Sequence, residues 1–527
     1  MTVETPKRVS RRWMVIVGAV VGLVWLALIA TGYALKPTIR RIVRHRVETS
    51  LQAQFQSSVQ FSDFHVVLFP RVRVVINDLI MRHHGRSDIP PLIEVRQVTV
   101  NAGLSAFLGK RHEIGRVRLE GLQIHMPPRD SGGPPLTHTD EDLTKKYPIV
   151  IDELDADDAL VVILRKHAGE PPNEFVIHKL VMNKVDFEQP VAFHALLTNP
   201  KPRGEIHCDG QFGPWQVDQP SETPGSGNYV FRDADLGALK GISGTLTSTG
   251  TFSGPLNYLK VEGATDTPNF ALRTSAHPLA LHTDFAAIVD GTNGNTILTN
   301  VTAKFLHTTL VTHGEVVGPR PNVKGSTIIL DVVSDHARIE DLLLLTVKVN
   351  RPVMTGSAQL EAKILFLEGD EDLMERMQLA GQFGLGEVHF TNSVEQRKVD
   401  SLSRRGQGKP KDLDVSDEVS DLQAYFRMET CNVTFSNLSF HVEGASVALV
   451  GTYNLDSGQM DFHGNLRLQA KLSQTTTGWR SVVLKPFNRH FTDNHGATEI
   501  PIKITGTREK IRRSGPILRP TETGNKD

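Results

Sequence analysis

From residue 59 onward, much of the chain alternates hydrophobic and polar side chains one by one. Between residues 462 and 472, every second residue is apolar or glycine, and the residues between them are polar. Successive side chains of a β-strand point to opposite faces, so this pattern predicts strands with one apolar face and one polar face. Apolar positions typical of these strands are Leu438, Phe440, Phe462, Leu466, Leu468, Ile502 and Ile504.

Turn sequences such as Asp209-Gly210 separate the alternating segments, and helical periodicity is rare. Short helices are predicted at residues 335–345, 369–379 and 479–491. We therefore predict a mainly β protein with an elongated antiparallel sheet and a few short helices. A sheet with one apolar face either packs that face against another sheet or shelters an apolar molecule, and alternation is compatible with both.

The alternation changes phase once inside the segment 112–126. Val117 and Leu119 are followed, after Gly121, by Leu122 and Ile124. A β-bulge at Gly121 would return all four side chains to one face, so we predict an irregularity there.

A single segment has the length and composition of a membrane span. Residues 13–35 (WMVIVGAVVGLVWLALIATGYAL) contain no charge and would form a helix roughly 35 Å long, against a bilayer core of ~30 Å. The apolar part of a signal peptide has only ~7–15 residues, so a retained signal anchor is favoured over a cleaved peptide. The predicted anchor includes Trp13, Val17, Leu23, Trp25, Leu28 and Leu35.

The charges that flank this segment do not decide its orientation. Lys7, Arg8, Arg11 and Arg12 precede it, and five more basic residues lie in the segment 36–46 that follows. The positive-inside rule therefore gives no preference.

The segment 36–56 has apolar residues at every fourth position: Ile39, Val43, Val47, Leu51 and Phe55. This spacing predicts an amphipathic helix. It either lies on or caps whatever follows the anchor, or packs as an ordinary helix on the first strands.

Composition and motifs argue against catalysis and against nucleic-acid binding. The 58 basic and 59 acidic side chains cancel, so no global field attracts nucleic acid. No Walker A, G-x-S-x-G, H-E-x-x-H or Rossmann motif occurs in the sequence. We therefore expect no enzyme, no cofactor and no metal site.

Two smaller features have ordinary structural interpretations. The acidic run 152–158 lacks the glycine and the final glutamate of a calcium loop, and we interpret it as a solvated turn. Cys208 and Cys431 are the only cysteines, and they are either two unpaired core residues or one disulfide.

Several segments together resemble the AsmA-like proteins of the Gram-negative bacterial envelope. They are VQFSDFHVVLFPRVRVVINDLIM (59–81), residues 93–126, residues 235–270, GTYNLDSGQMDFHGNLRLQAKL (451–472) and EIPIKITGTREKIR (499–512). The resemblance extends over both ends and the middle of the chain, although each motif is degenerate. The basic residues after the last strand, such as Arg508 and Arg512, depart from the family pattern.

The resemblance implies a single-pass protein of the inner membrane, with the N-terminus in the cytoplasm and the bulk of the chain in the periplasm. It also implies a role in outer-membrane biogenesis and an open, apolar-lined β trough like that of bridge-like lipid transfer proteins. We therefore expect the chain to handle or transport phospholipid between the inner and outer membranes. The alternative is a non-enzymatic scaffold that assists outer-membrane protein assembly.

Under the first interpretation, the apolar positions named in the opening paragraph line the groove. The expected partners are phospholipids or other envelope lipids, the inner membrane, and periplasmic or outer-membrane proteins, but no nucleic acid. The predicted organisation is a cytoplasmic segment (1–12), the anchor (13–35), an amphipathic helix (36–56), an N-terminal β region (57–126), an exposed loop (127–147), a central β-groove region (148–394), a polar loop (395–421), a C-terminal β region (422–508) and a flexible tail (509–527).

Overall fold

The computed structural model describes residues 40–42, 44–45, 47–49, 51–52, 55, 57–67, 72–83, 85–102, 112–126, 149–164, 173–186, 188–216, 219–275, 277–318, 323, 325–348, 350–412, 418–476, 497–507 and 510–514. The predicted anchor (13–35), the predicted loop 127–147 and the predicted helix 479–491 lie outside these residues. Within them, no helix combines the length and the apolar character that crossing a bilayer requires.

The protein is mainly β, with 65% of the described residues in strands. The described strands are β1 (Ser57–Gln60), β2 (Asp63–Val67), β3 (Val72–His83), β4 (Ile93–Ala102), β5 (His112–Met126), β6 (Ile149–Ile163), β7 (Asn173–Val185), β8 (Val191–Pro200), β9 (Arg203–Phe212), β10 (Pro224–Asp235), β11 (Ile242–Ser243), β12 (Thr245–Pro255), β13 (Leu259–Leu272), β14 (Leu279–Val289), β15 (Thr296–Phe305), β16 (Thr308–Val317), β17 (Thr327–Arg338), β18 (Met354–Phe366), β19 (Met377–Phe390), β20 (Ser420–Glu429), β21 (Asn432–Val442), β22 (Ala445–Asn454), β23 (Met460–Leu468), β24 (Thr498–Thr507) and β25 (Lys510–Ser514).

Among the described residues, short helices are few, as the sequence predicts. The α-helices are α1 (Ile339–Thr346), α2 (Leu373–Arg376) and α3 (Ser393–Gly406), and the 3-10 helices are Pro220–Glu222, Leu236–Ala238 and Leu472–Gln474. The described residues between 40 and 55 are also helical.

The first of two compact units consists of Met1–Leu164, Glu174–Ala195 and Gln211–Thr223. In it, β1 and β2 both pair with β3, and β3, β4 and β5 follow one another in antiparallel order. β6 then pairs with β5 in parallel. The prediction of a purely antiparallel sheet is therefore wrong at this pair, because alternation indicates the faces of a strand and not its direction.

The predicted change of alternation at Gly121 is present and is shared by neighbouring strands. Asp78, Gly121 and Asp158 have φ angles of 52°, 66° and 52°, and the strand pairings place them in one row with Arg96. The register is the same on both sides of the row, so no extra residue is inserted and the predicted β-bulge is wrong. At this row, each strand exchanges the faces to which its alternate side chains point. Leu119 and Leu122 therefore pack into the same core.

The core of the first unit lies under β1–β7. Its fully buried members include Phe64 at 0% exposure and Val185 at 1%, and the helical residues Val47, Leu51 and Phe55 pack into the same cluster. This packing supports the interpretation of the amphipathic segment as a helix that packs on the first strands.

The acidic run 152–158 lies inside β6, so its interpretation as a turn is wrong. Arg116 Nη2 on the parallel strand β5 donates to Glu153 at 2.9 Å, and Arg118 Nη2 donates to Asp157 at 2.7 Å. Arginines that are distant in sequence thus neutralise carboxylates that would otherwise repel one another along the strand.

The second unit consists of Arg165–Asn173, Leu196–Gly210 and Pro224–Asp527. β9 pairs with β10 and β10 with β12, and the short β11 pairs with β13. From β12 to β25, each strand is antiparallel to the next, from β12–β13 to β24–β25. The long antiparallel sheet predicted from alternation is present in this unit.

The predicted polar loop 395–421 begins instead as helix α3, which spans Ser393–Gly406. The Asn392 side chain caps it by accepting from Val394 N at 2.8 Å. Gln396 and Asp400 are buried, and Gln396 Nε2 donates to Asp400 Oδ1 at 3.0 Å. The composition resembles that of a loop because the buried positions are polar and satisfied by hydrogen bonds.

The other two predicted helices within the described residues are displaced. Residues 335–338 belong to β17, and α1 begins at Ile339. Around 369–379, only Leu373–Arg376 are helical, with the Asp372 side chain accepting from Met374 N at 2.8 Å.

Candidate functional site

Large apolar side chains of β17–β24 share one side of the second unit's sheet and are only partly buried. We call this surface the apolar face. Its large members are Ile328, Leu330, Leu360, Ile364, Phe366, Leu379, Phe383, Leu422, Phe426, Phe435, Leu438, Phe440, Val447, Leu449, Leu466, Ile500, Ile502 and Ile504.

Cross-strand register aligns these side chains into rows. One row pairs Gly381 with Phe426, and Phe426 with Phe435. It continues through Gly451 to Phe462. The Phe383 and Phe426 rings are 5.8 Å apart, and the Phe435 and Phe462 rings are also neighbours. Glycines between the aromatic rings leave room for them on neighbouring strands.

The seven predicted groove residues all belong to this face. Leu438 and Phe440 lie on β21, the three from the segment 462–472 on β23, and Ile502 and Ile504 on β24. Phe462 and Leu468 are 9% and 4% exposed, and the other five are partly buried. Sequence analysis missed the contribution of β17–β20 and β22, although Ile364 and Phe426 also lie on strands with alternating patterns.

Two small clusters of buried side chains on this side lie at strand ends beside helices, and Val332, Met428, Val433 and Phe462 are buried on it elsewhere. One contains Ala358 and Leu385 beside residues of α1, and the other contains Val442 and Leu468 beside residues of α3. A second sheet packed face to face would bury the side chains between them as a sandwich core. The large members of the apolar face are instead only partly buried. This indicates that the face remains accessible.

The opposite side of the same sheet is polar. Asp331 on β17 has a carboxylate oxygen 3.8 Å from His313 Nε2 and another 3.8 Å from Lys363 Nζ, and Lys503 Nζ lies 3.5 Å from Asp461. Tyr425, the sequence neighbour of Phe426, is 55% exposed on this side. The unit thus presents a hydrated face and an apolar face on one layer of strands.

His282 lies within a charged cluster on the polar side of β14. Its Nδ1 is 2.7 Å from Asp266 Oδ1 and its Nε2 is 3.3 Å from Asp284 Oδ1. Hydrogen bonding to Asp266, followed by that to Asp284, raises the pKa of the imidazole above its usual 6.5. Lys304 Nζ lies 3.2 Å from Asp284 and helps to lower the pKa of that carboxyl group.

We expect this cluster to give the protein a pH-dependent stability. The raised pKa of His282 stabilises the folded state below about pH 6.5, and this contribution is lost as pH rises through the folded-state value. His282→Gln should therefore lower the thermal midpoint at pH 5.5 and leave it unchanged at pH 9, with an effect under about 1 kcal/mol because the side chain is exposed. Thermal unfolding from pH 5 to 9 measures this, with His463→Gln as the control, and a pH-independent difference would contradict it.

Cys208 and Cys431 are both free thiols, which agrees with their interpretation as unpaired residues. Burial, followed by the charge of Asp209, raises the pKa of Cys208 to about 11. Burial and the neighbouring Asp456 also raise the pKa of Cys431. Both sulfurs are therefore protonated at neutral pH and poor nucleophiles.

Nothing in the described ranges gathers three or more His, Cys, Asp or Glu side chains closely enough to hold a metal ion. The apolar face offers contact with hydrocarbon, and covalent chemistry is not suggested by any group that it carries.

No model of a known protein family matches the sequence, and no curated protein matches it. The candidate function therefore rests on the residues and their geometry, together with the sequence resemblance described above.

Proposed function

We propose that this protein is an AsmA-like, membrane-anchored periplasmic protein that handles phospholipid between the inner and outer membranes without covalent chemistry. The observation that carries the proposal is the apolar face, a continuous band of partly buried aliphatic and aromatic side chains from β17 to β24. Such a surface is unfavourable in water unless something apolar covers it.

An acyl chain suits the dimensions and the chemistry of this face. Eight neighbouring strands at ~4.8 Å spacing extend over roughly 34 Å, whereas one lipid leaflet contributes about half of a ~30 Å hydrocarbon core. Each methylene that is buried contributes about 0.8 kcal/mol. The face is therefore wide enough for an extended chain, while the head group remains in water at its margin.

The membrane anchor and its orientation belong to the same proposal. The uncharged segment 13–35 has the length of a bilayer span, and the resemblance to AsmA-like proteins supports a periplasmic position for the residues that follow it. The anchored end would then lie beside the inner-membrane lipids that the body takes up.

A second candidate function, a scaffold for outer-membrane protein assembly, is supported by apolar residues on the otherwise polar side of the sheet. Ile297 is 50% exposed, Val311 45% and Val333 40%, and the last two are directly paired on β16 and β17. Exposed aliphatic residues of this kind suit a protein contact. They are fewer and more scattered than those of the apolar face, so we place this function second.

The proposal is tested by photo-crosslinking in living cells with the full chain. We expect p-benzoylphenylalanine in place of Phe426, on the apolar face, to form phospholipid adducts that mass spectrometry identifies after irradiation. The same amino acid in place of Tyr425 is the matched control, because that side chain is adjacent in sequence and 55% exposed on the polar side. A protein adduct at 426, or equal lipid yields at both positions, would overturn the proposal, and the protein adduct would favour the scaffold.

A further inference from the structure

Within the second unit, the end of β13 meets the connection between β18 and β19. Arg273 Nε lies 3.3 Å from Asp372 Oδ2, and Arg273 Nη1 lies 3.7 Å from Glu375 Oε1. On the same side, Leu373 N donates to the backbone oxygen of Lys240 at 3.0 Å, and Lys240 Nζ donates to the backbone oxygen of Asp370. We call these five charged residues, Lys240, Arg273, Asp370, Asp372 and Glu375, the seam.

The seam joins parts of the sheet that are far apart in strand order. Four strands, β14–β17, lie between β13 and β18, so five spacings of ~4.8 Å would hold the two strands roughly 24 Å apart in a flat sheet. A second contact of the same kind joins Ser275 Oγ, after β13, to Leu345 O of α1 at 2.5 Å. The sheet must therefore roll back on itself between β13 and β18.

The apolar face is on the inside of this roll. On β16 and β17, Val311 and Val333 of the other side are 45% and 40% exposed, whereas Leu330 and Val332 of the apolar side are partly or fully buried. A concave surface brings its own side chains together and reduces their exposure, whereas a convex surface spreads them apart. Contact at the seam thus limits access to the apolar side of the strands that it encloses.

Four of the seam's five charged side chains are exposed to water, whereas Asp372 is only 15% exposed. The Arg273 side chain is 47% exposed and its partner Glu375 52%, while Lys240 and Asp370 are 61% and 57% exposed. By contrast, β17 and β18 are joined by a hydrogen-bonded ladder along most of their length. Exposed ion pairs contribute little each and are screened by salt, so the seam separates more easily than the strands do.

The two sides of the seam nevertheless fit closely. Gly241 has a φ angle of 99°, and a Cβ atom at this position would lie 2.6 Å from Asp372 Oδ1. Glycine is therefore required for this approach, both by its backbone conformation and by the space available. The seam therefore combines a close fit with only a few ion pairs and a backbone hydrogen bond. Such a contact can open and close.

We propose that the seam is a gate, which opens at the Arg273 ion pairs and so admits lipid to the part of the apolar face that it encloses, on β17 and β18. This inference rests on the proposed function, since a gate needs a cargo. Arg273 is a positioning residue in it, because the guanidinium holds the two sides together and need not touch the lipid.

The test compares Arg273→Glu, Arg273→Ala and Arg273→Lys in the full chain, extracted with its surrounding lipid by a styrene–maleic acid polymer. We expect hydrogen exchange at residues 240–243 and 372–376 to rise about tenfold in Arg273→Glu, which adds repulsion, and about threefold in Arg273→Ala. Arg273→Lys keeps the charge and should stay close to the wild type. Lys503→Glu is the matched control, because it breaks an exposed pair with Asp461 away from the seam.

The second readout is the arrival of lipid at the apolar face in cells. With p-benzoylphenylalanine in place of Leu330, on the apolar side of the enclosed strand β17, and a pulse of deuterated palmitate, labelled phospholipid adducts should appear about tenfold faster in Arg273→Glu and threefold faster in Arg273→Ala. If Arg273→Glu fails to fold, Arg273→Ala decides the question alone. Equal arrival rates in all variants would overturn the gate and leave the proposed function intact, whereas the absence of any adduct in the wild type at position 426 would overturn both.

Discussion

Phe64→Ala should lower the free energy of unfolding of the first unit by about 3–5 kcal/mol. Phe64 lies on β2 at 0% exposure, in the cluster that also contains Val74 and Ile76 of β3. Its ring is 5.7 Å from that of Phe61. Removing it costs the transfer free energy of the ring and leaves a cavity in a closely packed core.

The measurement is hydrogen exchange of the β3 amides as a function of urea, which gives the free energy of opening for this unit. Val67→Ala is the control, because Val67 lies on the same strand with 48% exposure and should change that free energy by less than about 0.5 kcal/mol. A loss below 1 kcal/mol in Phe64→Ala would show that β2 does not cover the core as described.

Phe426→Asp should reduce the phospholipid that copurifies with the chain by at least tenfold, while the protein still folds. The ring is partly buried on the apolar face beside Phe383. An aspartate there places a charge where hydrocarbon would lie, and removing the solvent from a carboxylate costs several kcal/mol. The folded protein alone tolerates the charge, because water reaches this position when no lipid covers it.

Two further substitutions identify the cause of the loss. Tyr425→Asp introduces the same charge on the polar side, and the lipid content should not change. Leu468→Asp should prevent folding, because Leu468 is 4% exposed in the cluster with Val399 and Val442. Lipid mass spectrometry and the thermal midpoint are measured for each variant, and an unchanged lipid content in folded Phe426→Asp would rule out this face as the binding surface.

The contrast between Phe426 and Leu468 also refines the prediction of groove-lining residues. All seven predicted residues lie on the apolar face, but two of them are buried: Leu468 in the cluster that contains Val399 of α3, and Phe462 beside the ring of Phe435. Alternation identifies the face on which a side chain lies, since the period of a strand is two. It carries no information on whether another element covers that face.

Helix α3 shows why a local pattern can mislead. Residues 393–406 are rich in charged and polar side chains, and the sequence therefore predicts a loop. Buried Asp400 accepts hydrogen bonds from Gln396 and from the backbone N of Glu418. These bonds make the burial of polar groups acceptable, and the partners come from the tertiary fold and from the far end of the segment.

The wrong prediction for the acidic run in β6 has a similar cause. Seven residues with five carboxylates predict a solvated turn, because like charges along a strand repel one another. Arg116 and Arg118 lie more than 30 positions earlier and meet Glu153 and Asp157 only because β5 and β6 are parallel neighbours. Pairing of strands decided which charges meet.

The sequence by itself determined that the chain is mainly β, which residues share a face, and where the alternation turns over at Gly121. These properties follow from the period of the strand and from the backbone freedom of glycine, and both act over a few residues. Only the tertiary structure decided that β5 and β6 run parallel, which parts of the apolar face the helices α1 and α3 cover, and that Arg273 reaches Asp372 across four intervening strands. The Arg273 contact depends on the roll of β13–β18, a sum of small twists over several strands that no short segment encodes.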